Sequence, residues 1–178
     1  MPALRRGAER RRGAGLSAAA KAARARAAAL RLVGAVALAV IVVDRATKWL
    51  VVEVMDLGHR LAIEVLPPYL NLVMAWNTGI NFGLFSDNDG WLRWVLVGLA
   101  VAVSIALTVW SARRGGRLVP IASGVVIGGA LGNAWDRVQY GAVADFLNMS
   151  CCGIDNPYAF NVADVAIFAG AMLLAWKA

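Results

Sequence analysis

The chain is short of the residues on which much soluble chemistry depends. Among its 178 residues are two cysteines and a single histidine. Two cysteines exclude a disulfide-built scaffold. One histidine, His59, excludes a histidine-rich metal site and leaves any serine or cysteine nucleophile without a marked partner, so neither metal nor cofactor is expected. Charge is also scarce: 16% of residues are Asp, Glu, Lys or Arg, against about 25% in an average soluble domain. No glycine-rich loop has the form that cradles phosphates. No internal repeat is visible, which removes the sequence support for an inverted-repeat transporter. What fills the chain instead is apolar, 60% of residues, with a mean hydropathy of +0.64. That content rules out disorder along the whole chain. A small polytopic membrane protein remains.

The net charge of +7 is concentrated, not spread. Half of the 18 Lys and Arg residues precede position 32, where Glu9 is the only acid. A basic arm ahead of an apolar run holds a first helix in the cytoplasm more often than it binds nucleic acid, so no nucleic-acid partner is expected. The arm, residues 1–31, is rich in Ala and Arg. It suits a helix lying on anionic lipid and suits a disordered extension equally.

Four windows are apolar enough to cross a bilayer, residues 32–55, 91–110, 118–135 and 162–176, since a span needs roughly 20 residues at 1.5 Å rise. The first merges into polar sequence without a small-residue cleavage pattern, which argues against a cleaved secretory signal. Arg113, Arg114 and Arg117 crowd the connection after the second window, whereas Asp56, Glu64, Asp87 and Asp89 oppose Arg60 alone in the connection before it. Both termini and the arginine turn are therefore expected in the cytoplasm. Loops at 56–90 and 138–160 then face outward. Residues 61–66 and 69–76 have strand-like composition and are separated by Pro67-Pro68, predicting a hairpin on the membrane surface, followed by a turn over 77–83. The expected fold is membrane α-helical: a four-transmembrane-helix bundle over residues 32–178 with a small extracytoplasmic sheet.

Ionisable groups at membrane depth cost several kcal/mol unless paired or hydrated. Asp44 and Lys48 stand four apart on the first helix, acid first, with Thr47 on the same face; simple charge neutralisation accounts for the pair as well as function does. Asn133, Asp136 and Arg137 share a face at the end of the third window and predict a polar patch. Gly124, Gly128 and Gly132 form a small-residue stripe best read as helix packing. Asp145 follows in an apolar return segment, and Asn161 and Asp164 open the fourth window on one helix face. Two carboxylates, Asp145 and Asp164, are thus offered at the same outer level. If they meet, one proton is shared, and the ionised member can activate water while its partner donates to a carbonyl oxygen. Spacing alone fits two separately solvated aspartates equally well. Cys151 and Cys152 are either free or bridged to each other.

Taken together these motifs resemble the lipoprotein signal peptidase family, signal peptidase II of bacterial inner membranes. The match runs in order through Asp44-Arg45-Ala46-Thr47-Lys48, Asn77-Thr78-Gly79 with Phe82-Gly83, Gly132-Asn133-Ala134-Trp135-Asp136-Arg137, Val143-Ala144-Asp145-Phe146 and Phe160-Asn161-Val162-Ala163-Asp164. The resemblance implies a monomeric aspartic endopeptidase, with membrane lipid around it, that cuts a prolipoprotein just before its diacylglyceryl-modified cysteine. Its catalytic pair falls on Asp145 and Asp164. Supporting residues fall on Asp44, Lys48, Asn77, Gly79, Asn133, Asp136, Arg137 and Asn161, with Asp136 and Arg137 shaping the site and Asn133 and Asn161 holding substrate or dyad. Asn81 departs from the small residue expected in its turn. The alternative is a small transporter or membrane assembly factor, with Asp44/Lys48 and Asp136/Arg137 as structural ion pairs.

Overall fold

The computed structural model describes residues 2–79, 90–114, 116–153 and 156–177, with side chains between positions 17 and 176. Ile80, Asn81, Phe82 and Gly83 of the anticipated turn lie outside the described residues. Helix α1 spans Pro2–Lys48, so the basic arm continues the first span as one helix without a break at residue 31. A π-helical segment, Trp49–Val54, extends it and closes with the Met55 N–H donating to the Leu50 carbonyl. The short helix α2, Leu57–Arg60, then leads into the hairpin of β1, Ala62–Leu66, and β2, Leu70–Asn77. Helices α3, Trp91–Ser111, and α4, Leu118–Tyr140, follow. Strand β3, Val143–Asn148, and helix α5, Val162–Lys177, complete the chain.

Three helical stretches, in α1, α3 and α4, are long and apolar enough to cross a membrane, and α5 is a shorter apolar helix. Apolar side chains such as Leu38, Leu99, Ile105 and Phe168 point outward; a solvated protein would bury such faces, and lipid accepts them. Helix α4 is central, because its small residues let neighbours approach closely. A Cβ on Gly124 would lie 2.8 Å from the Val33 carbonyl oxygen of α1, and one on Gly128 would lie 2.6 Å from Val40 Cβ. One on Gly129 would strike the Ala163 carbonyl of α5. The buried Ser111 hydroxyl donates to Ser123 across α3 and α4 at 2.7 Å. The stripe is not packing alone, however: Gly132 faces the Asp44 carboxylate, 2.8 Å from where its Cβ would be.

The sheet has the order β1-β2-β3, antiparallel throughout. The hairpin falls where its composition predicted. Strand β3 does not: the sequence places residues 143–148 in a return segment of the outward 138–160 loop, yet they pair with β2, placing Ala75 opposite Asp145 and Asn77 opposite Val143. Pairing satisfies backbone groups that would otherwise be buried and unbonded. Val51, Leu57, Leu72 and Phe146 form the core beneath the sheet. Phe160 bridges to Leu147, with reciprocal backbone bonds of 2.7 and 3.0 Å. That bridge delivers Asn161 and the start of α5 to the side of β3. Beyond it, Cys151 and Cys152 are joined in a disulfide.

Candidate active site

Helix α5 begins with a capping box. The Asn161 side-chain oxygen accepts the Asp164 N–H at 3.0 Å, and Asp164 Oδ2 accepts the Asn161 N–H at 3.1 Å. This reciprocal arrangement satisfies donors that a helix start leaves orphaned. It also fixes both side chains. The other end of the Asn161 amide donates to Asp145 Oδ1 at 2.6 Å and to Asn133 Oδ1 at 3.2 Å. Asn133, from α4, donates in turn to Asp164 Oδ1 at 2.8 Å. Asp145 and Asp164 are therefore linked by two asparagines, each bonded to a carboxylate and to the other. Asn77 completes the set from β2, donating to Asp145 Oδ2 at 3.0 Å while its own oxygen accepts the Gly79 N–H at 2.9 Å. Gly79 has φ of 111°, a conformation open mainly to glycine.

Asp145 is only 3% exposed. Burial, reinforced by the charge of Asp164, pushes its carboxyl up to about 6, against the opposing pull of the Asn77 and Asn161 hydrogen bonds and of Lys48. Carboxylates are resisted most where water is excluded and a second negative charge is near. Asp164 is half-buried. Asp145 therefore keeps its proton to higher pH than a solvated aspartate, and a carboxyl of that kind can donate to an oxygen beside a carboxylate that accepts from water.

The family model described as signal peptidase (SPase) II matches residues 36–178. The chain belongs to the signal peptidase II family. It is 46% identical over 136 residues to the lipoprotein signal peptidase of Methylobacterium sp. (strain 4-46), covering 76% of this chain and 81% of that one. It is 45% identical over 137 residues to that of Methylorubrum extorquens (strain PA1), covering 75% and 77%. Two solved structures, each described as a bacterial membrane enzyme, superpose with TM-scores of 0.66 and 0.68 at 28% identity; both cover 80% of this chain, and 84% and 88% of the respective neighbour. These likenesses do not favour the transporter or assembly-factor alternative.

In this signal peptidase II chain, a second buried cluster stands beside the two carboxylates. Lys48 Nζ lies 2.9 Å from Asp44 Oδ2, 2.6 Å from Asp136 Oδ2 and 3.2 Å from Asn133 Oδ1. Arg45 pairs with Asp136 and, at 3.3 Å, with Asp44. Two cations thus meet two anions, as burial at this depth requires. Asp44 also accepts the Ala163 N–H at 3.2 Å, so a carboxylate of α1 caps the start of α5 and favours its positive end. The expected patch of Asn133, Asp136 and Arg137 divides: Asp136 turns to α1, while Arg137 lies within electrostatic range of Asp164, Asp145 and Asp136. Successive helical residues diverge by about 100°, which sends neighbours to different partners. Thr47 does not join the cluster; its hydroxyl bonds back to the Val43 and Asp44 carbonyls.

Sequence reasoning assigned no role to Arg45. No sequence signal marked it, because Asp136 has Arg137 beside it in the chain and its turn toward α1 exists only in the fold. The Ala163 N–H carries no side-chain signal and needed the structure.

Proposed function

We propose that the chain removes the signal peptide of lipid-modified prolipoproteins by aspartic catalysis, with Asp145 and Asp164 as the dyad. The observation that carries this reading is the convergence of the two carboxylates, from β3 and α5, on Asn161, whose side-chain amide donates to Asp145 Oδ1 and whose backbone N–H donates to Asp164 Oδ2. Asp164 takes a proton from water as its oxygen bonds to the scissile carbonyl carbon. Asp145, holding the shared proton, gives it to the carbonyl oxygen. The resulting gem-diol returns a proton to Asp145 as the C–N bond breaks, and the leaving amine takes the proton from Asp164. Asn161 and Asn133 keep the carboxyl groups in register, so little reorganisation accompanies the step. The Arg45–Asp136–Lys48–Asp44 cluster holds α1, α4 and α5 together beneath them.

The placement we propose is a bacterial inner membrane, crossed four times with α5 as the last span. Both termini are cytoplasmic and the dyad lies near the outer face. The basic turn of Arg113, Arg114 and Arg117 at the opposite end from the dyad supports this. Residues 32–178 form the peptidase domain, residues 1–31 are a basic extension of α1, and the enzyme works as a monomer. The surface sheet lies over the lipid-bearing cysteine of the substrate.

The test is turnover of a lipidated precursor peptide by purified Asp145→Asn and Asp164→Asn variants. Each is expected to lose cleavage while remaining folded. Turnover retained by either removes that residue from the dyad.

A further inference from the structure

At the end of the bundle away from the dyad, charge is unbalanced. The sequence contains no Asp or Glu from residue 17 to 43, from 90 to 135 or after 164. Five arginines nevertheless gather there: Arg26 and Arg31 on α1, and Arg113, Arg114 and Arg117 at the turn between α3 and α4. Their counter-charge has to come from outside those segments. A cavity of about 590 Å³ opens between α1 and this turn, with Arg31, Arg114 and Arg117 at its rim and Ala28, Leu32 and Ala35 along its wall. A second hollow of about 520 Å³, lined by Arg26 and Arg113, lies nearby. The Arg114 guanidinium stands 5.2 Å over the Trp110 ring, which restrains its reach toward the rim.

A separate feature points to the same ligand charge. Helix α4 starts at this rim, its N-cap Arg117 supplies no side-chain hydrogen bond, and its first turn carries no acid. The positive end of its dipole therefore favours an anion. Cationic rim, uncapped helix start and apolar wall together match an amphiphile with a phosphate head. We propose that this cavity holds the headgroup of an anionic phospholipid from the leaflet opposite the dyad, with an acyl chain along the alanine and leucine face of α1. The site is independent of the peptidase reading.

The full chain, purified in detergent, is titrated with phosphatidylglycerol or phosphatidylcholine, and bound lipid is counted by native mass spectrometry. One phosphatidylglycerol should bind per chain roughly tenfold or more tightly than phosphatidylcholine, and Arg31→Gln/Arg117→Gln should erase that preference. The charge-matched Lys21→Gln/Arg24→Gln variant, which alters α1 outside the cavity, should keep it. Peptidase activity in detergent should be unchanged in both. If the first pair proves unstable, Arg31→Gln alone should weaken the preference. Equal affinity for the two lipids overturns the proposal, as does equal loss in the two double variants, or displacement of the lipid by inorganic phosphate alone.

Discussion

Replacing Asn161 with serine separates its two tasks. Serine caps helices as well as asparagine does, so its hydroxyl can keep the bond to the Asp164 N–H. It is too short and lacks the amide that donates to Asp145 at 2.6 Å. A hydrogen bond to a charged group contributes about 1.5–3 kcal/mol. At about 1.36 kcal/mol per pH unit, losing it should raise the Asp145 carboxyl by roughly one to two pH units above its present value. The direction follows from the bond's preference for the ionised form: without the donor, the proton is held more tightly. Asp145 supplies the proton in the proposed step, so the alkaline limb of kcat/KM should move to higher pH while the acid limb stays close to its place. Loss of a positioned dyad partner should also lower kcat about tenfold or more. The assay is the pH dependence of kcat/KM on a lipidated precursor peptide, with Asn161→Ser beside the unaltered enzyme. An alkaline limb that stays put, or moves downward, with turnover still measurable, would refute the role given to Asn161.

Three further outcomes are expected. Because the Asp145 carboxyl is raised to about 6 in the folded chain, ionising it opposes folding. That destabilisation is absent below about pH 4, grows as pH rises to 6 and is complete above it. Asp145→Asn should therefore unfold about 1–3 kcal/mol less readily than the parent at pH 7, an advantage that fades at pH 4 in thermal melts. Gly128→Ala should separate α1 from α4, because its Cβ would meet the Ala37 carbonyl oxygen at 2.7 Å, and cost about 1–3 kcal/mol. Gly34→Ala, with nothing within 4 Å, should cost nothing in the same denaturation assay. An unlipidated precursor should show a much lower kcat/KM than its lipidated form, since acyl-chain binding helps position the scissile bond; equal values would contradict this.

The three long apolar helices were legible because lipid imposes a local rule: a crossing segment must be apolar along its length and satisfy its own backbone. The hairpin was legible for a similar reason, two strand-like runs about Pro67-Pro68. Asn161 and Asp164 could be placed together from their spacing of three, although the capping box that joins them is a more specific arrangement than a shared helix face. By contrast, β3 has only six residues and is a strand by virtue of β2, about 70 positions earlier. Arg45 and Asp136 stand 91 positions apart, so their pairing was invisible in either window alone.

From its residues alone the chain specified a membrane protein, its apolar segments, the family motifs and the two aspartates. These depend on composition and on neighbours within a turn or two. Which side chains meet was decided by the tertiary structure. The close approach of α1 to the glycines of α4, and the bridge from Phe160 to β3, brought distant polar groups into one low-dielectric region. There each buried group must find a partner, and its partners lie wherever packing delivers them.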